Sequence, residues 1–212
     1  MEASFCYADL AGHLTLSAAT GHEFGADTVV RFMEMLDSAL GDGDRLIRSI
    51  GDAAVIACTE PHAAVLFVSA LHECLAAEPG FPRLRVGMHH GDAAHDGEPV
   101  GPALELSALI AARARPGEAL ATRAVACAAA SMGIEIVNQG DFAFGCLRQP
   151  VTIFALDVVA AEGERVEDPV CRIEIERERA PARLRHNRVD YYFCSLECAG
   201  YFARDPTRFA FD

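Results

Sequence analysis

Residues 45–57 constrain the fold more than any other part of the sequence. Two short runs of apolar and β-branched residues flank the pair Gly51-Asp52. This pattern predicts a β-hairpin whose tight turn presents the Asp52 carboxylate at its tip. A Gly-Asp turn alone is weak evidence of function, because most such turns only connect strands.

A second carboxylate, Asp9, ends an earlier strand-like run at residues 4–10. A loop that contains Gly12 follows it directly, and a helical pattern comes next. Carboxylates at strand ends beside such a loop suit Mg²⁺ and a nucleoside triphosphate. We therefore predict that Asp9 and Asp52 share one site.

Four segments, taken in order, resemble the class III adenylate/guanylate cyclase homology domain. They are DLAGHLTLS at 9–17, RSIGD at 48–52, RVGMHHG at 85–91 and ARPGE at 114–118. The resemblance covers residues 4–157, and we place a first domain at residues 1–160. It implies an α+β fold of cyclase type, with a ferredoxin-like antiparallel sheet and helices on one face.

The apolar periodicity agrees with this fold class, because strands, hairpins and helices alternate along the chain. Helices are predicted at residues 23–40, 61–77, 103–114 and 122–130. A strand pair is predicted at residues 84–89 and 91–95, and further strands at 134–137 and 151–156.

The resemblance also assigns a metal and nucleotide site. It implies that Asp9 and Asp52 hold Mg²⁺ or Mn²⁺ and that the loop at Gly12 binds the triphosphate of ATP or GTP. Arg48 stands at the purine-reading Lys position, and Glu98 at the purine-reading acidic position. Cyclase sites form between two subunits, so the resemblance implies a homodimer or a heterodimer with a complementary cyclase.

The family's transition-state positions are degenerate in this chain. Glu105 stands where the family has Asn, Leu109 where it has Arg, and Phe144 where a Lys contacts phosphate, with Arg148 as a nearby substitute. Each lost transition-state donor typically costs about 10² to 10³ in rate. We therefore predict that a homodimer has no competent cyclase site.

Two alternatives remain open for the carboxylate pair. The chain can be the metal-carrying half of a heterodimer, since it keeps Asp9 and Asp52 and has lost the other set. Alternatively, the two carboxylates are relics that cap loops and bind no cation.

The composition changes from Asp168 onward. The motifs DPVC at 168–171 and YYFCS at 191–195 resemble the YHS domain, a relative of the TRASH metal-sensing module. We place this second domain, a small β-hairpin and helix module, at residues 166–212.

Three cysteines give this tail its chemistry. Cys171, Cys194 and Cys198 follow the spacing Cys-x22-Cys-x3-Cys. Three thiolates make a soft site for Zn²⁺, Cu(I) or a similar ion. No fourth ligand is evident, and His186 is the nearest candidate. The alternative is a metal-free module in which these cysteines are reduced core residues.

Charge and segment composition exclude several classes of partner. The net charge is −13, and all 18 basic residues are Arg, so neither nucleic acid nor an anionic membrane is expected to bind. The N-terminus lacks the positive region of a signal peptide, and no apolar run reaches the roughly 18 residues of a membrane span.

These features predict a cytoplasmic protein with reduced cysteines. We expect the five scattered cysteines to be small core residues; they are Cys6, Cys58, Cys74, Cys127 and Cys146. We also expect structural roles for His89, His90 and His95, with His89 and His90 on opposite faces of a strand.

Two functions follow from these features. The preferred one is a non-catalytic, dimeric cyclase-homology domain fused to a metal-sensing tail. The competing one is an active nucleotide cyclase that the tail regulates. Glu105 and Leu109 favour the first, whereas Asp9, Asp52 and Arg48 keep the second open.

Overall fold

The computed structural model of the chain describes most of its residues. The described ranges are 2–11, 22–78, 81–92, 101–145, 147–158, 165–177 and 180–209. Gly12, Glu98, His95 and Cys146 lie outside them.

Seven strands form one sheet in the described part of the first domain. They are β1 (Glu2–Leu10), β2 (Arg45–Ile50), β3 (Ala53–Cys58), β4 (Leu84–Asp92), β5 (Ala119–Thr122), β6 (Ile136–Phe142) and β7 (Val151–Leu156). Their order across the sheet is β2-β3-β1-β4-β5-β7-β6. Neighbouring strands run antiparallel except β4 and β5, which pair in parallel. The predicted hairpin at residues 45–57 is β2 and β3.

Four helices pack on this sheet among the described residues. They are α1 (His22–Ala39), α2 (Pro61–Ala76), α3 (Pro102–Ala111) and α4 (Arg123–Ser131). Helices α1, α2 and α4 cover one face, where the rings of Phe32 and Phe67 lie in the main core. No described helix is long and apolar enough to cross a membrane.

Helix α3 lies on the opposite face from the other three. Its side chains Leu106 and Ile110 join a separate cluster with Leu120 of β5 and Ile153 of β7. The backbone of α3 comes very close to Gly87 of β4, where an added Cβ would lie 2.1 Å from a carbonyl oxygen. The predicted α+β fold is confirmed. All helices were expected on one face of the sheet, whereas the structure has α1, α2 and α4 on one face and α3 on the other.

Strand β4 differs from the predicted strand pair. It is one continuous strand through Asp92, and it pairs along its whole length with the nine-residue strand β1. The glycine at position 91 does not make a turn, because Gly91 pairs in register with Ala3.

The tail has its own core. Its elements are β8 (Arg165–Glu167), β9 (Glu174–Glu176), β10 (Ala182–His186), β11 (Val189–Phe193), α5 (Leu196–Arg204) and a short 3-10 turn (Pro206–Arg208). Strands β8 and β9 pair with each other, as do β10 and β11. Phe193 and Phe202 are fully buried, with ring centroids 5.2 Å apart. The residues that link the tail to the first domain, 159–164, lie outside the described ranges.

The scattered cysteines only partly follow the prediction. Cys6 and Cys58 are buried, as expected, and Cys74 is half-buried. Cys127 is exposed, so the prediction for it is wrong. It projects from α4 between buried positions that face the sheet, and small size alone did not reveal that orientation.

Candidate functional site

Asp9 and Asp52 meet at the end of β1 beside the β2–β3 turn. Asp9 lies opposite Ala53 in the strand pairing, and the Leu10 N–H donates to the backbone carbonyl of Asp52 at 3.1 Å. Burial raises the pKa of the Tyr7 phenol, and the negative charges of Asp9 and Asp52 raise it further. Both carboxylates therefore lie close to Tyr7, as a shared site requires.

A guanidinium group already holds one of these carboxylates. Arg85 pairs with Asp9 across β1 and β4, and it donates Nε–H to Oδ1 at 3.0 Å and Nη2–H to Oδ2 at 2.6 Å. The Asp9 side chain is only 19% exposed, so water screens this bidentate pair incompletely. Arg85 thus belongs to the site, although its sequence position did not identify it.

The carboxylate oxygens of Asp9 and Asp52 are donors of the kind that a hard divalent cation binds. Carboxylate oxygens are the ligands that Mg²⁺ and Mn²⁺ prefer. The charge of Asp9 is compensated by Arg85, so a cation must share or displace this contact. A displaced guanidinium would remain beside the cation, where it can donate to a phosphate.

Arg48 lies on the same face of the sheet as Tyr7 and Asp9. Arg48 and Tyr7 both pair with Val55, from opposite sides of β3, and paired residues direct their side chains to one face. Arg48 is exposed on β2. The other two predicted nucleotide positions, Gly12 and Glu98, lie outside the described residues.

Helix α3 presents Glu105 and Leu109 away from the sheet. The two residues lie one turn apart on its exposed side, whereas Leu106 and Ile110 are buried beneath it. Leu109 is 39% exposed, which is high for a large apolar side chain. The positions that the resemblance assigns to transition-state donors therefore offer a carboxylate and an alkyl group at the surface.

Phe144 lies inside the apolar cluster beneath α3. It is 4% exposed, and the Arg113 guanidinium lies 5.0 Å from the centre of its ring. At the position where the resemblance implies a phosphate-contacting Lys, the chain therefore has a core side chain. Arg148 is exposed in the turn that follows.

The histidines of β4 have structural partners. His89 Nδ1 lies 2.9 Å from Thr122 Oγ1, and His90 Nδ1 lies 2.9 Å from Ser4 Oγ. The two rings lie on opposite faces of the strand, as predicted. Burial lowers the pKa of His89 and favours its neutral form.

Comparisons with known proteins support the fold. An adenylate cyclase of Trypanosoma brucei in its monomeric state superposes with a TM-score of 0.66 and 21% identity, over 76% of this chain and 89% of that one. A Silicibacter pomeroyi adenylate/guanylate cyclase/hydrolase gives 0.65 and 18%, over 76% and 98%. The guanylate cyclase domain of Catenaria anguillulae RhGC, solved with GTP, gives 0.62 and 13%, over 73% and 95%.

The seven-stranded domain has the cyclase fold. No protein-family model and no curated protein sequence matches the chain. We refer below to the part built on the seven-stranded sheet as the cyclase-like domain, and to residues 165–209 as the tail.

The three tail cysteines converge in the structure. Cys171 Sγ and Cys194 Sγ are 3.4 Å apart, and Cys194 Sγ and Cys198 Sγ are 3.6 Å apart. Cys198 lies in the first turn of α5, and its N–H donates to the Ser195 side chain, which caps the helix at 3.1 Å. All three thiols are buried. The donor chemistry fits Zn²⁺ or another soft ion.

Asp168 joins these thiols as a fourth member of the cluster. One ligand atom from each of the four residues lies within 4.8 Å of the others. His186, the candidate fourth ligand from the sequence, instead stacks its ring edge against Phe202 at 6.0 Å. Asp side chains often accept the backbone N–H two residues further on in a turn, as Asp168 does with Val170, and this was the local signal for Asp168.

The electrostatics of the cluster favour one thiolate. Hydrogen bonds from Cys171 and then from Cys194 lower the pKa of Cys198 to about 3. Hydrogen bonds to Cys171 and then to Cys198, together with burial, raise the pKa of Cys194 above its ordinary value. A lowered pKa favours the deprotonated sulfur that metal ligation requires.

Proposed function

We propose that this chain is a cytoplasmic regulatory protein whose cyclase-like domain binds ATP or GTP with Mg²⁺ or Mn²⁺ without cyclising it at an enzymatic rate. The observation that carries this proposal is the outer side of α3, where Glu105 and Leu109 are exposed. Neither side chain can donate a hydrogen bond to a developing negative charge at neutral pH.

The remaining groups support binding more than chemistry. Asp9 and Asp52 supply oxygen ligands, and Arg85 supplies a cation beside them. Phe144 is buried in the apolar cluster, and its side chain has no group that can donate to a phosphate. The test is an assay of the purified chain with ATP and with GTP, and cyclic nucleotide formed at an ordinary enzymatic rate would contradict the proposal.

The tail would bind a metal ion, as the resemblance to the YHS domain implies, and would regulate the protein in response to it. Cys171, Cys194 and Cys198 would hold Zn²⁺ or another soft ion, whose chemistry there is structural and regulatory. Loading the reduced chain with Co²⁺ tests this directly, because bound thiolates give Co²⁺ an absorption band that oxygen ligands do not.

A contact between the tail and the cyclase-like domain supports a regulatory link. Arg83 Nη1 donates to Glu174 Oε2 at 3.1 Å, and Glu174 lies three residues after Cys171. The Arg83 carbonyl accepts the Ala11 N–H at 2.7 Å, next to the strand that carries Asp9. These two bonds connect the segment after Cys171 with the end of the strand that carries Asp9, and they are the route by which the tail would act on the carboxylate site.

A second candidate is the metal-carrying half of a heterodimeric cyclase. The observation that favours it is the shared location of Asp9 and Asp52, which survives while the outer side of α3 has changed. In this case a homodimer is inactive, and a complementary cyclase subunit restores activity on mixing. Mixing with such a subunit without gain of product would exclude this candidate.

A further inference from the structure

The carboxylate of Asp168 lies beside the three thiols of the tail's donor cluster. Asp168 is fully buried, and its Oδ1 accepts the N–H of Val170 at 2.8 Å and of Cys171 at 3.4 Å. Its Oδ2 accepts the N–H of Cys194 at 2.7 Å. The side chain thus ties together the two segments that carry the first two cysteines.

These bonds leave one acceptor position on the carboxylate. An ionised carboxylate has about four lone-pair sites, two on each oxygen. Oδ1 uses both of its sites, whereas Oδ2 uses one for the Cys194 N–H. The Cys194 side chain also hydrogen-bonds the carboxylate, and a metal bound to the Cys194 sulfur takes the place of that thiol proton. The remaining site on Oδ2 can bind a cation without breaking any of the three N–H bonds.

Cys194 Sγ lies from Cys171 Sγ and from Cys198 Sγ at distances close to those around a tetrahedral metal. A Zn–S bond of about 2.3 Å gives a sulfur to sulfur distance of about 3.8 Å along a tetrahedral edge. The measured distances of 3.4 and 3.6 Å are close to this value. Three sulfurs define three corners, and the Asp168 carboxylate is the fourth donor in the cluster.

We propose that Asp168 is the fourth ligand of the tail's metal site, and that it makes the site selective for a divalent cation of the Zn²⁺ type over Cu(I). The proposal rests on the proposed function, in which the tail binds metal. Three thiolates and a carboxylate buried together carry a large negative charge, and a divalent ion neutralises more of it than a monovalent ion. Cu(I) is also satisfied by sulfur alone, whereas Zn²⁺ takes mixed sulfur and oxygen ligands.

The test compares two metals in two variants of the full-length, reduced, metal-free chain. Asp168→Asn removes the charged ligand and keeps the side-chain shape, but its amide NH2 cannot accept the backbone N–H group that faces it, so at least one of the three N–H bonds is also lost. Ser195→Ala is the control, because it weakens the same turn without removing a donor of the cluster. Competition with chelators gives the Zn²⁺ and Cu(I) affinities, and the Co²⁺ spectrum reports the ligand field.

Asp168→Asn is expected to lower Zn²⁺ affinity by at least about 10- to 100-fold, and Cu(I) affinity by much less. Loss of a residue that only hydrogen-bonds a metal ligand already costs this much affinity. Ser195→Ala is expected to lower both affinities by similar factors. An equal loss of both metals in Asp168→Asn, or no loss, would overturn the proposal, since Asp168 would then only position the cysteines or contribute nothing.

A measurement on the unmodified chain covers the case in which Asp168→Asn does not fold. X-ray absorption of the Zn²⁺-loaded protein should show three sulfur ligands and one oxygen, and a first shell without oxygen would contradict the assignment. If the unmodified chain shows no thiolate band with Co²⁺, the metal-binding function itself fails and the ligand assignment falls with it. That result is distinct from a bound metal that lacks the Asp168 oxygen.

Discussion

Arg85 neutralises Asp9 through two parallel hydrogen bonds, from Nε to Oδ1 at 3.0 Å and from Nη2 to Oδ2 at 2.6 Å. In the cyclase-like domain this places a fixed cation where a metal ion would otherwise meet the carboxylate. In the proposed nucleotide site, a metal ion would therefore compete with Arg85 for Asp9, and the released guanidinium would be free to donate to a phosphate. The occupancy of that site depends on the balance among them.

Arg85→Ala should increase the affinity of the nucleotide-free protein for Mn²⁺. The change removes a cation that competes for Asp9, and partly exposed ion pairs of this kind are worth up to about 1 kcal/mol, or roughly fivefold in affinity. Electron paramagnetic resonance of free Mn²⁺ measures the effect. Arg45→Ala, at an exposed position on β2, is the control and should leave the affinity unchanged. A weaker Mn²⁺ affinity in Arg85→Ala would show that Arg85 supports the metal site.

The double change Glu105→Asn with Leu109→Arg should create measurable cyclase activity. Both side chains are exposed one turn apart on α3, so the replacements need no repacking of the core. The two donors together are expected to raise the rate by at least about 10²-fold over the unmodified chain. Product analysis by mass spectrometry is the readout, and the two single changes are the controls. An inert double variant that still binds nucleotide would show that Phe144 or the loop after Asp9 is also limiting.

Gly87→Ala should destabilise the cyclase-like domain. The added Cβ would lie 2.1 Å from the Ser107 carbonyl oxygen and 2.3 Å from the Ala111 nitrogen, so α3 has to move away from β4. Overpacking of this kind typically costs about 1–3 kcal/mol. Gly145→Ala is the matched control, because an added Cβ there meets no atom within 4 Å. Equal urea midpoints for the two variants would contradict the close approach of α3.

Zn²⁺ should stabilise the tail more than the cyclase-like domain. The chain has 4 Tyr and no Trp, and Tyr191, Tyr192 and Tyr201 lie in the tail, so near-ultraviolet circular dichroism reports mainly on this part. Zn²⁺ at 1,000 times its dissociation constant would stabilise the folded tail by about 4 kcal/mol. Cys198→Ser should abolish the shift, whereas Cys127→Ser, at an exposed thiol of α4, should preserve it. A shift that survives Cys198→Ser would place the metal elsewhere.

His72 should make the domain less stable at acid pH. Its Nδ1 lies 2.9 Å from the Val68 carbonyl, its Nε2 has no hydrogen-bond partner among the described residues, and burial lowers its pKa. In the unfolded chain the His72 imidazole therefore binds a proton near pH 6.5, whereas in the folded chain it stays neutral at that pH. The free energy of unfolding consequently falls as the pH drops below that value.

The contribution of this one group has a slope of at most about 1.4 kcal/mol per pH unit. Urea unfolding between pH 7 and pH 5 measures it. His72→Leu should remove that part of the slope. His62→Ala, which changes an exposed histidine of the same helix, should retain it. An unchanged slope in His72→Leu would assign the acid sensitivity to other groups.

Local patterns predicted much of this structure. The hairpin at residues 45–57 and the helix that begins at Pro61 follow from side-chain periodicity and turn residues, and they are β2 with β3 and α2. The continuity of β4 through Gly91 was not visible locally, since it depends on nine residues of β1 pairing across the sheet.

The two most informative site residues depend on contacts that are distant in the sequence. Arg85 meets Asp9 only because of the register between β1 and β4, 76 residues apart. Asp168 meets Cys194 through a bond that spans 26 residues. The cysteine spacing predicted the thiol cluster, but only the fold shows that the Asp168 carboxylate lies beside the three thiols.

Binding of ATP and GTP with Mn²⁺ to the reduced, metal-free chain, followed by product analysis of the same samples, tests the central claim most directly. We predict saturable nucleotide binding that Asp52→Asn weakens, with no cyclic product at an enzymatic rate. Cyclic nucleotide formed by the purified chain alone would contradict this account, and so would the absence of any nucleotide binding. The first result would make the protein an active cyclase, and the second would reduce the cyclase-like domain to a scaffold for the tail.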